Sequence, residues 1–258
     1  MVFRLAVSVG ALPGTSLEEQ VQAAAAAGFD GVEFACSEAE ALDVAMAASA
    51  LQASGLAASS IRAGHTYLIH PDYNMREKAL FHLRRAMAAS VDLGAAGVVF
   101  YGHYASHPVL PDLHPYKSAI ELEAELLITQ LRATLCDLAY ALGTRLLLMP
   151  ADHTCSTLLT HPDHAQIIRS RVDEHPHLQL ALHYSHLTAE GIDLARWAGR
   201  DAVKVIATHH DAKTLHDIAP ILINSGFDGW LVVDSGHPLS LRELQLRVQA
   251  LHAAQPVS

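Results

Sequence analysis

Basic residues are scarce in this chain: 17 Lys and Arg stand against 27 Asp and Glu, a formal net charge of −10 over 258 residues. A surface that neutralises nucleic-acid phosphates needs concentrated positive charge, so nucleic acid is not an expected partner. Cysteine is scarce too. Cys36, Cys136 and Cys155 form an odd set with no CxxC spacing, which excludes a disulfide framework and a zinc ribbon. No apolar run approaches the roughly 20 residues of a membrane span, so no membrane partner is expected. The opening MVFRLAVSVGALPG carries one Arg and a short apolar run without a clean A-x-A-like cleavage site, and the expectation is an uncleaved cytoplasmic protein. No low-complexity tract or Pro/Gly/Ser-rich linker interrupts the chain, so residues 1–258 read as a single domain.

What is present is a beat. Hydrophobic residues make up 51% of the chain, and many gather in eight short runs: FRLAVSV (3–9), GVEFA (31–35), LAASSIR (56–62), GVVFY (97–101), RLLLM (145–149), LQLAL (178–182), VKVIA (203–207) and WLVVD (230–234). Near-continuous Val, Leu, Ile and Ala is the signature of strands buried on both faces. The stretches between them read as helices. The first begins at Thr15-Ser16, with Glu18 and Glu19 in its opening turn, and ends at Gly28; later ones span 37–54, 74–93 and 117–142 and stop at Gly55, Gly94 and Gly143. Polar caps, early acids and terminal glycines mark these limits. Strands separated by helices pair in parallel, and eight such units predict an α/β fold, the (β/α)8 TIM barrel. GFDG occurs before the second and eighth runs, as shared turn chemistry would produce.

That fold places chemistry on the loops leaving the C-terminal strand ends. Those positions hold Glu33, His65, Tyr101, His103, Met149, Asp152, His153, His183, His186, His209, His210, Asp211, Asp234 and His237. Converging imidazoles and carboxylates suit a divalent metal or an acid–base pair. With 18 histidines in the chain, some fall at the mouth by chance, and solvated loop histidines are the competing reading. His183-Tyr184-Ser185-His186 follows a predicted strand, where both rings of an H-x-x-H turn can look inward. Asp234 closes a buried run, a costly place for an acid unless a metal or donor meets it. Glu33, inside GVEFA, serves either a substrate hydroxyl or a polar group of a neighbouring strand. Met149 reads as a core filler. The longest connection, GHYASHPVLPDLHPY (102–116), is expected to line or cover the site.

The segments GFDGVEF, LGA…VVF, ALGTRLLL-x-P and FDGWLVVD resemble the xylose-isomerase-like barrel superfamily, which includes sugar and sugar-phosphate isomerases and epimerases, inosose dehydratases and endonuclease IV. The resemblance covers essentially the whole chain and implies a divalent ion held by Glu, Asp, His and Glu from strands five to eight. In the family the two glutamates also move the proton between adjacent sugar carbons. Carried over, the strand-five Glu falls on Met149, no ligand for a hard ion. The strand-six D-x-x-H falls on His183 to His186. The strand-seven H-x-x-D, anchored on Asp211, falls on Thr208, with His209 one residue on; the strand-eight Glu becomes Asp234. The stretch from His65 to Pro71 resembles an endonuclease IV loop, but that enzyme's strand-four His aligns on Tyr101.

The resemblance implies an isomerase- or epimerase-like enzyme acting on a sugar, polyol or related hydroxy-carbonyl compound by proton transfer. Expected catalytic residues are Glu33, His65, His103 and Asp234, with His65 or His103 as the base; Tyr101, Met149 and His186 are expected to bind substrate. Any metal is expected on His183, His186, His209 and Asp234, a nitrogen-rich set that suits zinc or manganese over magnesium; a metal-free site is the alternative. Against this stands a barrel that has lost its chemistry and binds a small ligand or protein partner, and, further off, a DNA-repair nuclease. Ala-rich outer helices are compatible with a homodimer without requiring one.

Overall fold

The computed structural model describes residues 3–36, 42–209 and 211–253. In chain order these form β1 (Arg4–Ser8), α1 (Leu17–Ala27), β2 (Gly31–Ala35), α2 (Val44–Ser54), β3 (Ala57–His65), α3 (Tyr73–Asp92), β4 (Val98–Tyr101), α4 (Ala119–Gln130), α5 (Cys136–Leu142), β5 (Leu146–Leu148), α6 (Pro162–Arg171), β6 (Leu178–His183), α7 (Tyr184–Ala189), α8 (Ala195–Ala198), β7 (Val203–Thr208), α9 (Ala212–Asn224), β8 (Trp230–Val233) and α10 (Leu241–Ala253). The eight strands are parallel and pair in sequence order, with β8 returning to β1. The chain is a closed (β/α)8 barrel. Among the described residues no helix is long and apolar enough to cross a membrane.

Strand register sorts side chains that look alike in sequence. Val99, Tyr101, Leu147, Met149, Val205 and Ala207 pack inside the barrel. Their neighbours Val98, Phe100, Leu146, Leu148 and Ile206 pack outward, in the layer shared with the helices. Successive strand residues point to opposite faces, so the inner set is every second residue. Trp230 joins the inner core, with the Arg4 guanidinium 4.0 Å above its ring.

Local chemistry explains the boundaries. Ser16 and Glu19 form a reciprocal capping box on α1, and Gly28 closes it in the left-handed region; Ser118 and Glu121 repeat the box on α4. The repeated GFDG has a steric cause. A Cβ on Gly31 would lie 2.6 Å from the Ala57 carbonyl oxygen, and one on Gly229 would lie 2.4 Å from that of Lys204.

Three predicted elements change. The helix read over 37–54 begins at Val44, capped by the Asp43 side chain; residues 37–41 lie outside the described residues. The helix read over 117–142 is interrupted by one π turn at Leu131–Leu135. The third strand outruns its predicted end at 62, reaching His65 through a register shift between Arg62 and Gly64. Gly64 takes φ +73° there. Irregular steps of this kind re-aim side chains at barrel rims.

Candidate active site

A buried charged chain lies at the C-terminal end of β2, β3 and β8. Glu33 is fully buried. Its Oε1 accepts the Arg62 Nε–H at 2.6 Å and its Oε2 accepts the Ser60 hydroxyl at 2.6 Å. Arg62 Nη2 lies 2.6 Å from the same Oε1, and Nη1 lies 3.3 Å from Asp234 Oδ2. Burial alone would lower the guanidinium pKa; the Glu33 and Asp234 charges more than offset it, so Arg62 stays charged. A buried ion is tolerated only when paired and hydrogen-bonded, and Arg62 has two carboxylates. Glu33 thereby acts as a buttress that fixes Arg62, a role its burial favours over contact with a substrate hydroxyl.

Beside this chain, His183, His209 and Asp234 each present a ligand atom within 4.8 Å of the others. The His183 and His209 rings are 4.3 Å apart, and His209 Nδ1 is 4.0 Å from Asp234 Oδ2. β7 ends at Thr208, whose carbonyl accepts the Asp234 N–H at 2.8 Å, so the residue that turns into the mouth is His209. Asp211 instead caps α9, accepting the Thr214 N–H at 3.0 Å. Partial desolvation, ahead of the opposing pull of Asp234, lowers the His209 pKa from the usual imidazole range, and the side chain stays half exposed.

Two imidazoles and one carboxylate suit zinc or a similar transition ion with an open coordination position. The two-glutamate set for a hard ion is not present, because the two positions hold Met149, completely buried among the inner barrel residues, and Asp234. Met149 lies in the inner barrel cluster with Tyr101 and Leu147.

His186, expected with the ligands, lies outside that group. The H-x-x-H is the start of a short helix: His183 ends β6 and His186 sits one turn into α7. Their rings are 4.9 Å apart but serve different partners. His186 Nδ1 is 2.6 Å from Asp152 Oδ2, and its Nε2 is 3.3 Å from the Tyr101 hydroxyl. Asp152 thus meets one ring nitrogen and the Tyr101 hydroxyl the other. Burial would raise the Asp152 pKa, but the Thr154 hydroxyl and backbone N–H and the His186 ring bring it down to about 2.

The remaining expectations divide. His65 is exposed and its ring stacks on Tyr104 at 5.0 Å; Tyr104 in turn meets Tyr101 at 5.0 Å. A bond with Cys155, and then burial, pushes the Tyr104 hydroxyl up to about 12. His103 is buried, its Nδ1 2.8 Å from the Ser156 hydroxyl and its Nε2 3.4 Å from Glu123 Oε2. Glu123 also accepts the N–H groups of Val109 and Leu110, so His103 and Glu123 pin the 102–116 loop. His153 is held by Glu190 at 2.6 Å, and His210 lies outside the described residues. Arg62, Ser60 and Asp152 were not assigned roles from sequence. Arg62 had a readable signal, a charge closing the run LAASSIR (56–62) that must find an acid if the strand is buried.

A family model described as xylose isomerase-like TIM barrel matches residues 21–250. Among curated protein sequences there is no significant match. The chain is similar in structure to a 3-keto-D-glucoside 4-epimerase from E. coli, with TM-score 0.80, 17% identity and 98% of each chain covered. A D-allulose 3-epimerase from Methylomonas sp. gives TM-score 0.81 at 14% identity, again over 98% of each chain. An L-ribulose 3-epimerase gives TM-score 0.78 at 16% identity, over 98% of this chain and 95% of the other.

Proposed function

Because the chain belongs to the xylose isomerase-like TIM barrel family, we propose that it catalyses proton transfer beside the carbonyl of a sugar or related hydroxy-carbonyl compound at the C-terminal mouth of the barrel. The observation that carries this reading is the gathering of His183, His209 and Asp234 within 4.8 Å beside Arg62, a fixed cation, and Tyr101. Those three side chains would hold a divalent transition ion. When bound, such an ion supplies Lewis-acid polarisation of the substrate carbonyl.

The chain's own groups do the rest. Arg62, held by Glu33, supplies positive charge facing the mouth where an enolic oxygen develops, and being fixed in advance it needs no reorganisation during the reaction. Tyr101 offers a hydroxyl that burial keeps protonated, suited to orienting a substrate oxygen. Met149 and its apolar neighbours exclude water from below.

The test is elemental analysis of untagged protein prepared without chelator, followed by exchange of solvent deuterium into a panel of pentoses and hexoses. Near-stoichiometric zinc or manganese, lost in His209→Ala, together with exchange on at least one sugar, supports the proposal. A metal-free protein that exchanges nothing overturns it in favour of a binding barrel. The buried Met149 in place of a strand-five carboxylate is the feature that favours that second reading.

A further inference from the structure

We propose that the outer face of α3 carries a second binding site, one that takes a small phosphate ester, and that His82 couples its occupancy to Arg62 through the barrel wall. The site lies outside the strands, and its binding does not depend on the reaction proposed above.

The chain has a net charge of −10, yet four of its 17 Lys and Arg fall within residues 76–85: Arg76, Lys78, Arg84 and Arg85. Helical residues three, four or seven apart share a face. Lys78, Phe81, Arg84 and Arg85 accordingly wall one cleft of about 470 Å3, together with Glu77 and His82. Arg76 is used locally, on the His70 and Pro71 carbonyls. Lys78, Arg84 and Arg85 enter no ion pair among the described residues. Arg85 instead lies 5.9 Å over the Phe81 ring, which is 59% exposed. A net-negative molecule repels small anions, and a local concentration of unpaired cations reverses that field. Guanidinium forks and an ammonium are donors that phosphate oxygens take, and a cleft of this volume suits a small molecule.

The buried end of the cleft is unfinished. His82 is 3% exposed and lines the cleft, yet its Nδ1 has no hydrogen-bond partner among the described residues. Buried polar atoms nearly always have one, and a ligand oxygen would complete it. A phosphate oxygen or a hydroxyl of the ester can meet that nitrogen. Glu77 can accept a further hydroxyl, and Phe81 offers a flat apolar face for the ester's carbons. The other ring nitrogen reaches into the barrel wall, where Nε2 donates to the Ala63 carbonyl at 3.3 Å. Ala63 sits between Arg62 and Gly64, in the register shift of β3, and Gly64 takes φ +73° there. That irregular step sets the direction in which Arg62 leaves the strand. A ligand that draws on Nδ1 therefore bears on the segment that aims Arg62, and one ring and one carbonyl join the two sites.

Calorimetric titration of the full chain with glycerol phosphate, inorganic phosphate and glycerol, at fixed ionic strength, tests the site. Both phosphates should bind and uncharged glycerol should not. Arg84→Gln and Arg85→Gln, made together on the helix surface, should weaken the ester by about tenfold or more. By NMR on nitrogen-labelled protein, the His82 ring nitrogens should shift as the ester is added, and the Arg62 Nε signal should shift with them. In His82→Phe the ester should still bind through its cations while the Arg62 signal stays in place. No ester binding at millimolar concentration, equal binding by glycerol, or undiminished binding in the double variant overturns the site. An unmoved Arg62 signal at saturation in the unmodified protein overturns the coupling, whether or not His82→Phe folds. So does an Arg62 shift that persists in the double variant, since it reports phosphate at the barrel mouth. None of these readouts needs turnover, so failure here is separable from failure of the proposed reaction.

Discussion

Arg62 shows how one side chain organises a site whose other members are named more easily from sequence. Its guanidinium joins β2 to β8 through Glu33 and Asp234, and removing it leaves a fully buried carboxylate without a counter-charge. Breaking a buried pair from one side costs about 3–5 kcal/mol, whereas replacing both partners can be close to neutral. Arg62→Met should therefore lower unfolding free energy by about that amount in urea titration. The double change Glu33→Gln, Arg62→Met should recover most of it; equal losses in the two proteins would contradict the buttress role. Glu33 was legible as a buried acid with a purpose. A polar partner on a neighbouring strand was one of its two readings; that the partner is Arg62 was not legible, because sequence spacing carries no information about lateral neighbours.

Strands and turns follow the same logic with different signals. The runs and the terminal glycines placed nearly every element, because apolar periodicity and left-handed caps are local properties. Gly31 and Gly229 extend that to a steric rule, since one begins β2 and the other directly precedes β8, and at both the neighbouring backbone leaves no room for a Cβ. Gly31→Ala should cost about 1–3 kcal/mol through overpacking against Trp230 and the Ala57 carbonyl, measured by chemical unfolding. Gly10→Ala, with nothing within 4 Å of its added Cβ, should change stability by less than about 0.5 kcal/mol. The extension of β3 to His65 was not legible. It depends on a register shift against β4, which is a property of two strands together.

Parallel pairing of β6 with β7 and of β7 with β8 sets their C-terminal ends side by side, and the ligand group depends on it. His183, His209 and Asp234 come from three separate units. An ion that binds them in the folded state and not in the unfolded chain must stabilise the fold. At zinc roughly a hundredfold above its Kd the gain is about 2.7 kcal/mol, or about 5–10 °C in Tm for a chain of this size. Differential scanning fluorimetry should show that rise in the unmodified protein and none in His183→Ala. An unchanged Tm across zinc, manganese and cobalt would count against the site.

The sequence alone determined that this chain builds a (β/α)8 barrel with a polar mouth at the strand ends, because strand burial, helix caps and turn glycines are written in short local patterns. Tertiary structure decided the division of labour among the mouth residues. Tyr101 and Met149 face inward through pleat and register, and His183 and His186, one helical turn apart, serve different partners. His103 left the mouth for the loop anchor formed with Glu123. Each of those outcomes depends on which side chains meet across strands, and pairwise distance in the closed barrel is a quantity that no one-dimensional pattern contains.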